Sequence, residues 1–237
     1  MRVFKSKSAM HKNKVSVLCI VSILDRLKNL VLEMKTNQEN FGLMYCWGYQ
    51  GGLPAKKKYT HTGRRPKMRI ETERLLITEF VLEMAEDVHK NSLDEDNRRF
   101  VPDEVFETVE DAKETIEFLM SQYGGTDGPL VYPILLKSDC TNVGYVQMVP
   151  LDDGIWEIGY HVAKAYTGNG YATEAVRAFL PVAVKLVGTD SVQGICLSEN
   201  VASKHVLRKC GFETVFEGIG DYQGEKREVY KSVWKLS

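Results

Sequence analysis

The chain of 237 residues lacks the sequence features that mark several large classes of protein. No Gly-Lys-Ser or Gly-Lys-Thr tripeptide occurs, which excludes a P-loop. The five cysteines form no Cys-x-x-Cys pair and the five histidines show no metal-ligand spacing, so we expect neither a zinc site nor a metal cofactor. An odd number of separated cysteines fits reduced thiols, and we therefore predict a cytoplasmic protein.

The sequence also lacks a long apolar run. Its best candidate, residues 15–24, is ten residues long, whereas a helix that crosses a bilayer needs about 20. Asp25 and Arg26 end this run without the small residues of a signal-peptide cleavage site. Apolar residues continue beyond it at helical spacing, so the segment predicts one amphipathic helix and no membrane association.

Charge is distributed unevenly along the chain. Residues 1–67 hold 14 Lys and Arg against 3 Asp and Glu, whereas residues 68–237 hold 17 against 29. We predict a basic extension over 1–67 and one domain over 68–237. The extension is either poorly ordered or the product of a mis-assigned start, with translation beginning at Met68. Nucleic-acid binding is expected only if the extension is a basic arm for RNA. The acidic domain suits a cationic acceptor such as an amine, or is acidic simply for solubility.

The hydrophobic pattern alternates between strand and helix periods from residue 73 onwards. It predicts strands over 73–80, 130–136, 142–149, 156–162, 191–197, 212–217 and 228–236. It predicts helices over 82–92, 109–123 and 201–210, and one helix after the glycine loop that bends at Pro181 and ends at a C-cap at Gly188. The expected fold is therefore α+β, a mixed and mostly antiparallel sheet of six to seven strands flanked by about four helices.

The segment from Thr167 to Ala172 predicts a glycine loop between a strand and a helix. A helix start leaves backbone N–H groups unpaired and carries the positive end of the helix dipole, so it suits an anion. Gly168 and Gly170 allow a phosphate to approach the backbone. A dinucleotide-binding Gly-x-Gly-x-x-Gly motif fits less well, because its third small position holds Thr173 and the acidic residue that follows, Asp190, precedes a strand instead of ending one.

The motif that fits better is similar to the acetyl-CoA loop of the GNAT N-acetyltransferases, Gln/Arg-x-x-Gly-x-Gly/Ala. Residues 167–172, Thr-Gly-Asn-Gly-Tyr-Ala, match it, with Thr167 where Gln or Arg is usual. Residues 200–212 resemble the family's Asn-x-x-Ser/Ala…Lys-x-Gly-Phe helix. Residues 70–75, Ile-Glu-Thr-Glu-Arg-Leu, look like the start of the Rim-type branch, which acetylates protein N-termini. These three matches occur in the family's order.

The resemblance implies a single GNAT-type domain that transfers an acetyl group from acetyl-CoA to a primary amine, either a protein N-terminus or a small amine. Backbone N–H groups of the loop would hold the pyrophosphate, and the preceding strand would pair with the pantetheine arm. The residues that this comparison assigns to acetyl-CoA binding are Tyr160, His161, Val162, Thr167, Gly168, Asn169, Gly170, Tyr171, Ala172, Asn200 and Ser203.

Catalysis would need a base for the amine and a proton for the leaving thiolate. Glu157, on the strand that enters the loop, is the predicted general base, and His161 is the alternative. Ser203 is the predicted proton donor, because Leu207 stands where many GNAT enzymes carry Tyr. Phe100, Val101, Pro102 and Phe106 are candidates for lining the acceptor cleft, or alternatively pack between two helices. The alternative function is a non-catalytic module of the same fold that binds acetyl-CoA as a sensor or interaction domain.

Overall fold

The computed structural model describes residues 68–123, 125, 128–151 and 154–236. The predictions made for residues 1–67, including the amphipathic helix, the basic arm and the start at Met68, lie outside the described residues. Within the described ranges no helix is both long and apolar enough to cross a membrane.

The described residues are organised on one eight-stranded sheet. Its strands are β1 Arg69–Glu71, β2 Leu75–Thr78, β3 Leu130–Leu136, β4 Asn142–Pro150, β5 Trp156–Val162, β6 Ser191–Leu197, β7 Glu213–Tyr222 and β8 Glu225–Lys235. They are arranged in the order β1-β2-β3-β4-β5-β6-β8-β7. All neighbours are antiparallel except β5 and β6, which are parallel. The mixed, mostly antiparallel sheet of the predicted fold is confirmed.

Five α-helices flank this sheet in the described part of the chain. They are α1 Ala85–Ser92, α2 Glu95–Phe100, α3 Val109–Gln122, α4 Tyr171–Val187 and α5 Val201–Lys209. Short 3₁₀ turns precede α1, follow α2 and precede the glycine loop, at Leu82–Met84, Pro102–Glu104 and Lys164–Tyr166. Helix α2 and the turn after it were not predicted, because six residues are too few to show a helical period.

Apolar side chains bury both faces of the sheet. On one face Ile158, Val176 and Phe179 belong to a cluster formed by α4, α5 and the strands. On the other face Leu135 and Ile116 belong to a second cluster with α1 and α3. Burying two faces explains why the central strands read as nearly continuous hydrophobic runs.

Helix ends follow the local chemistry of the sequence. The Thr108 hydroxyl accepts from the N–H of Asp111 at 3.1 Å, and the Asp111 carboxylate accepts from the N–H of Thr108 at 3.0 Å. This capping box begins α3 and contributes about 1 kcal/mol. Helix α4 continues through Pro181 as predicted and ends at Gly188, which has φ 71°.

Two boundaries differ from the predicted ones. The predicted first strand is two strands, β1 and β2, because the N–H of Leu75 donates to the Thr72 hydroxyl at 2.8 Å and the chain turns there. The last hairpin is longer than predicted. Gln223 and Gly224 form its two-residue turn, with φ 51° and 81°, so the strands continue to the turn despite their many charged residues. The division of the first strand raises the strand count from seven to eight.

Candidate active site

The glycine loop lies between the 3₁₀ turn Lys164–Tyr166 and the first residue of α4. Gly168 and Gly170 both have φ 79°, a left-handed conformation that favours glycine. Residues 167–170 are exposed. Within the described chain, the backbone N–H groups of residues 168–173 donate to no other protein group. The loop therefore presents unpaired N–H groups at the positive end of a 17-residue helix, which fits the pyrophosphate of coenzyme A.

Two of the predicted loop residues shape the loop through their side chains. The Thr167 hydroxyl donates to the Lys164 carbonyl at 2.9 Å. The Asn169 amide donates to the carbonyls of Tyr166 at 3.1 Å and Thr167 at 3.2 Å. Since the Asn169 side chain binds the chain itself, Asn169 can bind a phosphate through its backbone N–H. Thr167 donates both its hydroxyl and its backbone N–H to Lys164, so its part is to hold the shape of the loop.

Arg74 is a loop contact that the sequence reasoning missed. Its Nη1 donates to the Asn169 carbonyl at 3.0 Å, and its Nε donates to the Glu174 carboxylate at 2.7 Å. Its guanidinium carbon lies 4.7 Å from the centre of the Tyr171 ring. The Thr72 hydroxyl donates to the same Glu174 carboxylate at 2.6 Å. The opening motif of the domain thus holds the loop and places a cation next to it.

The segment that contains Thr72 and Arg74 resembles the start of a Rim-type domain. No local sequence pattern, however, predicts that it contacts Glu174, about 100 positions away. The position of Arg74 also suggests how the loop accommodates Thr167, which stands where GNAT enzymes usually carry Gln or Arg. The usual Gln or Arg at that position is missing, and Arg74 supplies a guanidinium at the same loop from another part of the chain.

Strands β5 and β6 diverge as predicted. They pair only at Trp156 with Val192 and at Glu157 with Gln193. Beyond these pairs β5 remains paired with β4 and β6 with β8, so a cleft opens between them. Tyr160, His161 and Val162 lie on the β5 edge of this cleft. The backbone of these residues is therefore free on one side to pair with an extended ligand.

Helix α5 places Ser203 and Asn200 on the side of the cleft formed by β6. The Tyr160 and Ser203 hydroxyls lie 2.8 Å apart, and the Tyr160 hydroxyl also donates to the Ser203 carbonyl at 3.0 Å. Burial raises the pKa of Tyr160 well above its usual value, so this phenol stays protonated. The Asn200 carbonyl oxygen accepts from the N–H of Ser203 at 3.0 Å, which makes Asn200 the N-cap of α5 and leaves its amide nitrogen available.

Glu157 lies on the opposite face of β5, at the closed end of the cleft. Burial raises the pKa of its carboxyl to about 7, while a hydrogen bond from Gln193 and the charge of Lys231 act in the other direction. A carboxyl with this pKa can be ionised near neutral pH and can still accept a proton there.

His161, the alternative base, is occupied by another contact. Its Nε2 lies 3.8 Å from the Asp94 carboxylate, and its ring centre lies 5.6 Å from that of Tyr145. Hydrogen bonding to His161 holds the pKa of Asp94 well below its usual range, and Asp94 also accepts from the N–H of Lys164 at 3.0 Å. His161 therefore connects β5 to the start of α2.

A small cavity lies on the same face of the sheet as Glu157. Phe106, a predicted cleft residue, lines it, whereas Phe100, Val101 and Pro102 are not among its lining residues. Glu104 was missed by the sequence reasoning. Its carboxylate lies at the cavity and accepts from the Gln147 amide at 3.3 Å, and burial raises its pKa to about 7. Within the described residues no cluster of His, Cys, Asp and Glu is arranged to hold a metal ion.

Comparisons with known proteins agree with this geometry. The family model described as acetyltransferase (GNAT) domain matches residues 74–213. The uncharacterized N-acetyltransferase YnaD of Bacillus subtilis is 30% identical over 145 residues, which cover 61% of this chain and 82% of that protein.

Solved structures extend the comparison to the fold. A GNAT-family acetyltransferase from Bacillus anthracis is 26% identical, with a TM-score of 0.60 over 71% of this chain and 98% of its own. RimL, a ribosomal L7/L12 alpha-N-protein acetyltransferase solved with coenzyme A, is 15% identical and has the same TM-score over 71% and 98%. That likeness concerns the fold alone. The chain belongs to the GNAT family and is an acetyl-CoA-dependent acetyltransferase.

Proposed function

We propose that this protein transfers the acetyl group of acetyl-CoA to a primary amine by direct attack in a ternary complex, with Glu157 as general base. The observation that carries the proposal is the position of the cleft between β5 and β6. Its closed end lies at Glu157, and the strand that borders it leads directly into the glycine loop. The strand from Glu157 to Val162 spans about 17 Å, so one extended ligand can reach both ends.

Different residues of the cleft would bind different parts of acetyl-CoA. The N–H groups of residues 168–173 would hold the pyrophosphate, with Arg74 supplying positive charge. The free edge of β5 at Tyr160, His161 and Val162 would pair with the pantetheine arm. The amide nitrogen of Asn200 would donate to the same arm. Acetyl-CoA supplies an activated thioester carbonyl at the end of this arm.

The proposed reaction forms one bond and breaks one. The nitrogen of the neutral amine bonds to the thioester carbonyl carbon, and the carbon–sulfur bond breaks as the tetrahedral intermediate collapses. Glu157 accepts the proton that the nitrogen loses, directly or through a water molecule. The departing thiolate takes the proton of the Ser203 hydroxyl, which lies 2.8 Å from the protonated Tyr160 phenol. Solvent water then returns a proton to Ser203, and Glu157 releases its proton to solvent. The products are an acetylated amine and free coenzyme A.

The acceptor is a protein N-terminus or a small amine, and we propose that it is modified in the cytoplasm. The Rim-type opening motif favours a protein N-terminus. The cavity on the same face of the sheet as Glu157 favours an acceptor whose amine enters from the side that packs against α1 and α3.

A direct test follows free thiol release from acetyl-CoA with a panel of primary amines. We expect turnover with at least one amine, and a loss of about 10²- to 10⁴-fold in kcat in Glu157→Gln. The affinity of Glu157→Gln for coenzyme A, measured by calorimetry, should remain within about threefold of wild type, since this side chain lies far from the loop. Tight coenzyme A binding without turnover on any amine would instead favour the non-catalytic module.

A further inference from the structure

The cavity on the α1 and α3 side of the sheet contains an unusual set of buried polar atoms. Fifteen residues line it, and eight of them have polar side chains, among them Asn97, Glu104, Asn142 and Gln147. Four of these residues carry a buried side-chain atom without a hydrogen-bond partner in the described chain, namely Glu104 Oε2, Gln147 Oε1, Asn97 Oδ1 and Asn142 Nδ2. A buried polar atom without a partner is costly, so each of these atoms needs a polar partner from outside the chain, either water or a ligand.

The neighbouring hydrogen bonds establish which of these atoms are acceptors. The Asn97 amide nitrogen donates to the carbonyls of Ser92 and Glu104, both at 3.0 Å, so its oxygen is the free atom. The Gln147 nitrogen donates to Glu104 Oε1, so its oxygen is also free. Three of the four partnerless atoms are therefore acceptor oxygens, and one is a donor. This balance favours a ligand that carries several N–H donors.

The position of Gln147 connects the cavity to the reaction cleft. Gln147 pairs with Gly159 across β4 and β5. A Cβ built on Gly159 would lie 2.5 Å from the Gln147 nitrogen, so the Gln147 side chain lies directly over this glycine. Gly159 is the second residue of β5 beyond its last pair with β6. The Glu104–Gln147 pair thus lies where β5 and β6 begin to separate.

We propose that Glu104 and Gln147 bind the ammonium group of the acceptor before its transfer, and that the cavity accepts only a compact, uncharged group next to that nitrogen. This inference rests on the proposed function and specifies its acceptor. A primary ammonium has three N–H donors, and the carboxylate of Glu104 supplies both an acceptor and the opposite charge.

The size of the cavity limits the group that accompanies the nitrogen. Its volume is about 40 Å³. A water molecule needs about 10–15 Å³ by this measure, and a cavity that binds benzene measures about 150 Å³. The cavity therefore has room for about three non-hydrogen atoms and excludes an aromatic ring. A methylammonium or ethylammonium group fits, and so does the amine of a peptide that begins with a small residue.

The charges around the cavity exclude a second class of amine. Glu104, His161 and Tyr145 are the ionisable residues among those that line it, and neither Lys nor Arg is present in that set. The charge of Asp103 adds to the negative potential at Glu104. A free amino acid would bring its carboxylate into this negative site without a cationic partner, which is strongly unfavourable. The acceptor is therefore an amine without an adjacent carboxylate.

Binding can be measured without turnover on the full chain. Ethylammonium chloride should raise the Tm of the wild type by on the order of 2 °C or more relative to sodium chloride at equal ionic strength. Tetramethylammonium chloride has the same charge but no N–H donor, and it should give no shift. Glu104→Gln should lose the ethylammonium shift. Glu107→Gln is the matched control, because this exposed carboxylate of the same segment pairs with Arg98, and it should keep the shift.

Turnover gives a second, independent measurement. In Glu104→Gln the KM for ethylamine should rise at least about tenfold with little change in kcat, because a charged hydrogen bond to the acceptor is lost. Val88 lines the cavity from α1, so Val88→Ala should widen it and raise kcat/KM for butylamine relative to that for ethylamine. Val88→Phe should lower kcat/KM for both amines.

The outcomes separate this inference from the proposed function. An ethylammonium shift that needs Glu104, found in a protein without turnover, would support the site and contradict acetyl transfer. A wild type that turns over amines without any ethylammonium shift would overturn the site alone. A loss of kcat in Glu104→Gln at unchanged KM would also overturn it, since Glu104 would then act on the reaction and not on binding.

Discussion

The two sides of β5 differ in which atoms they offer to a ligand. Where β5 leads into the glycine loop, the available groups are exposed backbone N–H groups at the start of α4, with Arg74 beside them. On the face that packs against α1 and α3, the available groups are buried side-chain oxygens, among them those of Glu104 and Gln147. The first side is positive and suits an anion, and the second is negative and suits a cation.

The difference also appears in how each side responds to pH. Backbone N–H groups do not titrate, so the loop keeps its character over the whole physiological range. Burial raises the pKa of both Glu157 and Glu104 to about 7, so the other side changes charge near neutrality. Strand β5 thus connects the glycine loop, whose charge does not depend on pH, to a face with Glu157 and Glu104, whose charge does. Substitutions can therefore disturb one of these sites and leave the other intact.

The largest expected effect comes from Gly170→Val, which disturbs the loop alone. A β-branched residue is strained at φ 79°, and the loop N–H groups would turn away from the phosphates. We expect calorimetry to show a loss of affinity for coenzyme A of at least about 100-fold. Gly188→Val is the matched control, because Gly188 has φ 71° at the other end of the same helix. It should cost similar stability and leave the affinity unchanged; equal losses in both variants would contradict the loop assignment.

The second-largest expected effect is a pH dependence of kcat/KM, caused by Glu157 on the face of β5 that packs against α1 and α3. Because the pKa of Glu157 is raised, the carboxyl is protonated and inactive as a base below about 7. We expect kcat/KM to rise with pH, about tenfold per unit below the pKa of Glu157 and less steeply above it. The residual activity of Glu157→Gln should lack this inflection. An identical profile in the variant would assign the inflection to the amine or to Glu104.

Arg74→Ala tests whether the loop works through its backbone alone. Arg74 bonds the Asn169 carbonyl and pairs with Glu174 at 2.5 Å, so its loss removes a cation and loosens the loop. We expect the Kd for coenzyme A to rise about tenfold. The control is Arg98→Ala, which breaks a similarly exposed pair with Glu107, also at 2.5 Å, and should leave the Kd unchanged. An unchanged Kd in Arg74→Ala would limit the phosphate site to the backbone.

The smallest effect is expected from Ser203→Ala, where the two substrates meet. We expect kcat to fall about tenfold or less, below the ~10²-fold typical of general acids, because a thiolate leaves readily without full protonation. The KM for acetyl-CoA should change little. Ser121→Ala, on the exposed side of α3, is the control for stability. A larger loss in Tyr160→Phe than in Ser203→Ala would assign the proton to the phenol.

The loop side could be predicted from the sequence because its parts are contiguous. A strand, two glycines and a helix follow one another within residues 156–187, and each has its own local signature. Capping at Thr108 and the helix end at Gly188 were predictable for the same reason. Turn chemistry that was overlooked, at Thr72 and at Gln223-Gly224, explains the two wrong boundaries.

The other side could not be predicted, because its members are distant in sequence. Glu104 lies on a three-residue 3₁₀ turn and Gln147 in the middle of a strand, and each looks like an ordinary surface residue in its local context. Arg74 contacts Glu174 across 100 positions of the chain. Backbone sites depend on local conformation, which short patterns encode. Burial depends on elements that pack together from separate parts of the chain. For this reason only the tertiary structure decided which carboxylates are desolvated and which oxygens lie at the cavity.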